Sequence, residues 1–440
     1  MLTKNILSNS FYTFTKLGIG FLVNVIIARI LFDSSRYGLL ALSLSYIDVL
    51  IVVFGLGSNG ALVRFSQEQF DKNKLYDYVK ENYSNVFTIH FFITILILLF
   101  RDYFSQLFFD SSNEYILLYL IIICFFTKTI QLWISSIFWG LNRFTFRGIV
   151  IITLPIIKIL LLSFLYVLKS KGSLVNIVYI FIISELISSF LLLVLYKREF
   201  GNMPFKFFQK PSLLSPNVKT SFSFGLWSMF AGIGLLLMNL IDKIFIARYM
   251  DLETLGKYAI LVMLVSYFTL SIMMISNVLL SNYLKLWEKN KSLVIYKINN
   301  IFYIVLSAIT LGGICFSYFI DYFIKNVYGE IYLGLNYIVP FLLIAMIFNA
   351  TYMLFGNLAA ISKKPQLTAY SFAFGLVINL IGNFIFVPEY GIYAVVITTV
   401  ISYLFISMAM CIFLYKNIKE FSLKPLFFTY ASSLIIFYVC

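Results

Sequence analysis

Residues Asn24–Leu42 read NVIIARILFDSSRYGLLAL, and residues Lys243–Leu261 read KIFIARYMDLETLGKYAIL. Ala28-Arg29 recurs as Ala247-Arg248, and Tyr37 recurs as Tyr258 after a two-residue insertion. A dipeptide recurs cheaply by chance, so position is what gives this match weight. Each copy closes the first apolar segment of a block of six and leads through a short loop into the second. An even number of crossings per block preserves orientation, which makes the halves a parallel repeat related by an axis along the membrane normal. Two six-helix lobes around a central cavity are therefore expected, the plan of an alternating-access transporter.

Composition places the repeat in lipid. Of the 440 residues, 61% are hydrophobic and 12% charged, against roughly 45–50% and 25% in soluble domains. No soluble core hides that much apolar side chain. A disordered scaffold, a secreted disulfide protein and a nucleic-acid-binding module are excluded by the same numbers. The formal net charge of +14 is read topologically, because Lys and Arg collect on the cytoplasmic side. Cys124, Cys315, Cys411 and Cys440 are far apart in apolar segments, with no metal-ligand spacing, and read as small hydrophobes. No small-residue cleavage site follows the first apolar stretch, so it reads as a retained anchor.

A helix needs about 20 residues to cross the roughly 30 Å hydrocarbon layer. That length gives about twelve spans in an all-α polytopic protein: six in a lobe over 1–200 and six in a lobe over 220–415. A cytoplasmic linker, 201–219, carries Pro204, Pro211 and Pro216 between Lys197 and Lys219. The tail, 416–440, holds a short apolar helix, Leu426–Cys440, which is either interfacial or a marginal crossing. With the N-terminus inside, 21 of the 33 basic residues fall on the cytoplasmic side, so both termini are expected in the cytoplasm. The long cytoplasmic loops mix bases with aromatic residues and are expected to lie along the headgroups.

A charge deep in a span costs at least about 2.5–3.5 kcal/mol, so it needs a partner, a wet cavity or a function. Lys16, Lys128, Lys158 and Lys243 are such charges, opposed by Asp48, Glu185 and Asp242. At 100° per residue, Thr13, Lys16, Gly20 and Asn24 share one helix face. So do Lys128, Gln131 and Ser135; Gly375, Asn379 and Asn383; and, on the seventh span, Ser221, Gly225, Ser228, Gly232, Asn239, Asp242 and Lys243. The polar faces of spans one and seven are expected to meet across a hydrated, electropositive cleft. Lys16, Lys128, Lys158, Lys243, Asn24 and Asn239 are its candidate lining. Lys158 has a second reading, as a structural bridge to Glu185. Asp48 and Asp242 are candidates for ion coupling, and Arg29 and Arg248 for gating. His90, the one histidine, reads as a packed, neutral side chain.

The stretches GFLVNVIIARILFDSSRYGLLALSLS and NLIDKIFIARYMDLETLGKYAIL resemble the polysaccharide-transport flippases, the Wzx-type exporters of O-antigen and capsule units. Their superfamily also holds the multidrug and toxin extrusion transporters and the lipid II flippases. The resemblance covers essentially the whole chain. It implies movement of an undecaprenyl-pyrophosphate-linked oligosaccharide from the cytoplasmic to the periplasmic leaflet of a bacterial inner membrane. It also implies coupling to protons or sodium with no resident cofactor, and a polysaccharide polymerase and chain-length regulator as partners. The first helix carries Lys where Arg is often seen, which argues against a bidentate phosphate grip. Two rivals stand beside this reading. A cation-coupled multidrug antiporter would want an acidic or apolar cavity, against which the lysines argue. A polytopic polymerase or ligase would want a large external loop with Arg or His, whereas Arg101–Glu114 and Asp321–Leu335 are short.

Overall fold

The computed structural model describes residues 2–111, 114–167, 173–201, 216–287, 289–362, 364 and 366–440. Side chains before Phe11 and several in 216–285 lie outside the description, as does most of the expected linker. Every regular element among the described residues is helical. The first are α1 (Leu2–Leu31), α2 (Ser34–Phe54), α3 (Ser58–Asp71), α4 (Leu75–Leu99), α5 (Arg101–Phe109), α6 (Tyr115–Gly140) and α7 (Phe144–Val167). Then come α8 (Leu174–Phe200), α9 (Pro216–Tyr249), α10 (Leu252–Trp287), α11 (Lys291–Val327), α12 (Val339–Ile361), α13 (Gln366–Asn417) and α14 (Lys424–Val439). Two compact units result, Met1–Leu236 and Leu237–Cys440.

Helix α13 is two crossings in one. Pro388 removes a backbone donor, and Gly391 (φ 56°, ψ −134°) adopts a backbone open essentially to glycine alone. The arms 366–390 and 392–417 therefore fall where two separate spans are expected. Counting both arms and α9, the long helices number twelve among the described residues. Large apolar side chains such as Leu160, Phe164, Phe190, Phe374 and Phe384 are about two-thirds exposed. Scattered singly that would mean little, but on helices of this length it marks lipid-facing surface.

In the first unit, α3, α4, α6 and α8 close on a core of Leu62, Tyr83, Trp133, Ile137, Phe138 and Tyr196. The Trp133 indole donates to the Ser58 hydroxyl at 3.0 Å, satisfying the polar end of a fully buried ring. His90 is buried with its ring 3.8 Å from that of Phe125, a packed side chain as expected. The Leu56-Gly57 turn, both residues at positive φ, lets its backbone meet Gly225 of α9 directly.

In the second unit α12 is the central helix, with Phe348, Phe355 and Leu358 fully enclosed. Helix α14 is packed lengthwise into this unit rather than lying across its end. Phe428 stacks near Phe302 and Tyr303, Thr429 bonds Thr351, and the Tyr318 hydroxyl reaches the Val439 carbonyl. Its 16 residues span about 24 Å at 1.5 Å each, short of the roughly 30 Å apolar layer.

The repeated sequence is repeated geometry. Asp33 caps α2, accepting from the backbone N–H of Ser35 and Arg36 at 2.9 and 3.1 Å. Asp251 caps α10, accepting from Thr254 N–H at 2.6 Å. Each cap follows an Arg in the last turn of the preceding helix, Arg29 and Arg248, where a cation offsets the unpaired C-terminal carbonyls.

Candidate functional site

A cavity of about 380 Å³ opens among α1, α2, α6, α7 and α9, all within the first unit. Its polar lining is Lys16, Asp48, Lys128, Gln131 and Ser135; the rest is Ile51, Val52, Leu132, Val150, Ile151, Leu154, Pro155 and Leu236. The face Lys128, Gln131, Ser135 predicted from helical spacing is thus the α6 wall. Pro155 breaks the regular bonding of α7 at the same wall, because it leaves the Ile151 carbonyl without its helical donor. A few polar groups converging in an apolar hollow of this size is the ordinary form of a small-ligand site.

The Lys128 ammonium sits 3.1 Å from Asp48 Oδ1, with the Asp48 side chain half exposed. Lys16 forms no ion pair with a described carboxylate. Lys158 does not line this cavity. Its ammonium lies 3.1 Å from Glu185 Oε1 and 4.1 Å from the centre of the Phe181 ring, and Glu185 is fully buried. Glu185 Oε2 accepts from Gln131 Nε2 at 2.8 Å and sits 3.5 Å from Thr127 Oγ1. The bridge reading of Lys158 is the one its surroundings match: at this depth an ammonium finds its counter-charge inside the protein. Gln131 was visible only as part of a stripe. It joins the cavity to the buried pair and also donates to Ser189 at 3.1 Å.

Asn24 also stands apart from the cavity lining. Its amide donates to the Gly20 carbonyl of its own helix at 2.9 Å, and the Tyr37 hydroxyl lies 3.5 Å from its oxygen. Arg29 is partly buried and Arg248 exposed, each at its helix end.

The second unit holds a different polar centre. Asp242 is 3% exposed. Its Oδ2 accepts from Thr399 at 2.8 Å and Tyr258 at 3.0 Å, and its Oδ1 accepts from Asn383 at 3.0 Å and Asn379 at 3.3 Å. Thr398 donates in turn to Asn383 at 2.6 Å. All these donors are neutral. The stripe Gly375, Asn379, Asn383 therefore has its purpose in Asp242, while Thr398, Thr399 and Tyr258 were missed. Tyr258 was the findable one, since its repeat partner Tyr37 likewise lies near a polar residue, Asn24, on the preceding helix. Asn239 and Lys243 flank Asp242 on α9 and are partly buried. A larger hollow, about 610 Å³ between the arms of α13, is lined by residues such as Val377, Ile381, Phe386 and Ile397. It carries no charged side chain and faces the lipid side of α13, so the smaller cavity is the stronger candidate.

The chain is 22% identical over 423 residues to an uncharacterized membrane protein of Methanocaldococcus jannaschii, covering 91% of this chain and 82% of that one. In fold it is similar to the lipid II flippase MurJ in an inward closed conformation, with a TM-score of 0.71 and 17% identity. That match covers 98% of this chain and 96% of MurJ. An inward-facing multidrug resistance MATE family transporter of the MOP superfamily matches with a TM-score of 0.64 and 14% identity, over 94% and 98% of the two chains. At such identities the likeness establishes the fold, an all-helical multi-pass membrane architecture. The profile of the family described as "Polysaccharide biosynthesis protein" matches residues 2–280, from α1 well into α10. The chain belongs to the polysaccharide biosynthesis protein family, with a fold similar to those of MurJ and the MATE transporter.

Proposed function

We propose that this protein is a flippase that carries an undecaprenyl-pyrophosphate-linked oligosaccharide from the cytoplasmic to the periplasmic leaflet of a bacterial inner membrane, by alternating access and with both termini cytoplasmic. The observation that carries the reading is the pair of ammonium groups, Lys16 and Lys128, on the wall of one membrane-embedded cavity. A bare pyrophosphate crossing hydrocarbon faces a prohibitive desolvation cost; a wet hollow with fixed cations removes much of it. Lysine serves here as a point charge, without the bidentate geometry of Arg. A cationic drug would meet repulsion at the same wall, which disfavours the antiporter reading. A glycan polymerase and a chain-length regulator are the partners such a transport step would feed, and no nucleic acid is involved.

Asp242 is the coupling site in this reading. A buried carboxylate held, among the described hydrogen bonds, by neutral donors suits reversible binding of a proton or of Na⁺, a hard cation for which the Asp242 carboxylate and the Thr399 and Tyr258 hydroxyl oxygens are suitable ligands. Lys243 and Asn239 belong to its neighbourhood, and Arg29 and Arg248, at the helix ends, are gating candidates.

The test is surface glycan. Lys128→Ala and Lys16→Ala are each expected to abolish long-chain polysaccharide at the cell surface while protein abundance holds. Normal surface glycan in both variants would remove the cavity from the mechanism.

A further inference from the structure

The first unit places Lys16 and Lys128 on the cavity wall and buries Lys158, against two carboxylates, Asp48 and Glu185. With Lys128 paired to Asp48 and Lys158 to Glu185, Lys16 is the one cavity-lining lysine outside an ion pair with a described carboxylate, little for a headgroup that carries two negative charges. The two carboxylates are not held alike. Glu185 is fully buried and fixed by Lys158, by Gln131 at 2.8 Å and beside Thr127. It cannot leave without stranding Lys158. Among the described residues, the hydrogen bond of Asp48 is to the cavity lysine, at 3.1 Å, and half of its side chain is open. An exposed carboxylate in a wet hollow gives up an ion pair at small cost.

Resting on the proposed function, we propose that Asp48 is a built-in competitor for Lys128: in the empty cavity its carboxylate occupies the ammonium that the substrate's phosphate takes on loading. The exchange swaps one oxyanion for another on the same Nζ, so no desolvated ammonium is ever left bare. It also screens against weak anions. A lone carboxylate gains nothing by replacing Asp48, whereas a diphosphate brings a second charge for Lys16. Asp48 thus sets which anions can load and accounts for an acid in a cavity built for an anion.

Purified full-length protein is titrated with inorganic pyrophosphate and, separately, with a polyprenyl pyrophosphate in detergent, following heat release. Asp48→Asn removes the competitor while keeping shape, and the dissociation constant is expected to fall by about threefold to tenfold for both ligands. Lys128→Gln weakens binding, and Asp48→Asn added to Lys128→Gln brings no gain, because the released partner is absent. An Asp48→Asn gain that survives in the Lys128→Gln background shows a general field effect and overturns displacement. So does unchanged or weaker binding in Asp48→Asn while the wild type binds. A gain seen with inorganic pyrophosphate alone overturns the lipid-headgroup assignment. Absence of pyrophosphate binding in every variant refutes the proposed function itself, a result separable from the others.

Discussion

Replacing Lys158 with Met distinguishes a structural cation from a cavity cation. Glu185 has no exposed side chain, and Lys158 has 10%. In Lys158→Met the carboxylate keeps Gln131 at 2.8 Å and the Thr127 hydroxyl at 3.5 Å but loses its ion-pair partner. Removing one partner of a buried pair costs about 3–5 kcal/mol, because the remaining charge stays desolvated. For a unit of this size each kcal/mol moves the midpoint by about 2–4 °C, so a drop on the order of 10 °C is expected. The double variant Lys158→Met with Glu185→Leu replaces both charges by apolar groups of similar volume and should recover most of that loss. The assay is size-exclusion chromatography of heated, detergent-solubilised protein, run beside a surface-glycan assay. The double variant should retain glycan export. A Lys158→Met protein that melts like the wild type yet exports nothing would refute the argument and return Lys158 to the substrate path.

Three further outcomes follow from other parts of the fold. Gly225→Ala places a Cβ 2.8 Å from the Leu56 and Gly57 carbonyl oxygens, and backbone cannot yield as a side chain does; a loss of about 1–3 kcal/mol is expected by thermal unfolding. Asp251→Ala removes the Thr254 cap and should cost about 1 kcal/mol, additive with Asp33→Ala because the two caps share no partner. In a cysteine-free background, Asp110→Cys should react with a membrane-impermeant maleimide from outside intact cells, and Asn73→Cys only after permeabilisation; the reverse pattern inverts the assigned orientation.

How much was legible in the sequence follows from what each signal measures. Span count and length are set by bilayer thickness and apolar runs, so ten described helices are long and apolar enough to cross, one of them, α13, broken at Gly391 into two arms. Helical spacing located Lys128, Gln131 and Ser135 on one wall because a 100° step is a local property. What spacing cannot give is the partner on another helix. Lys158 and Asn24 carry the same chemistry as Lys16 and Gln131 along the chain, yet one faces Glu185, 27 residues away, and the other its own backbone. The Asp242 cluster shows the same limit, since Asn383 and Thr399 lie 141 and 157 residues beyond it. The Asp33 and Asp251 caps serve only local N–H groups, yet the repeat alone did not single them out.

The two copies of the repeat also differ in a way that bears on transport. In the first, the Tyr37 hydroxyl approaches an amide, Asn24; in the second, the Tyr258 hydroxyl donates to a carboxylate, Asp242. One frame therefore holds a group that stays neutral and the other a group that can ionise. An ionised carboxylate enclosed at membrane depth among neutral donors is only partly compensated for its lost hydration. A bound proton or hard cation would supply the remainder, which is the ground for proposing coupling at Asp242. The first copy places fixed ammonium groups on a cavity wall, where a bound cation would be repelled and an anion held. The two halves thus present different polar groups to the repeat-related tyrosines, an amide in one and a carboxylate in the other.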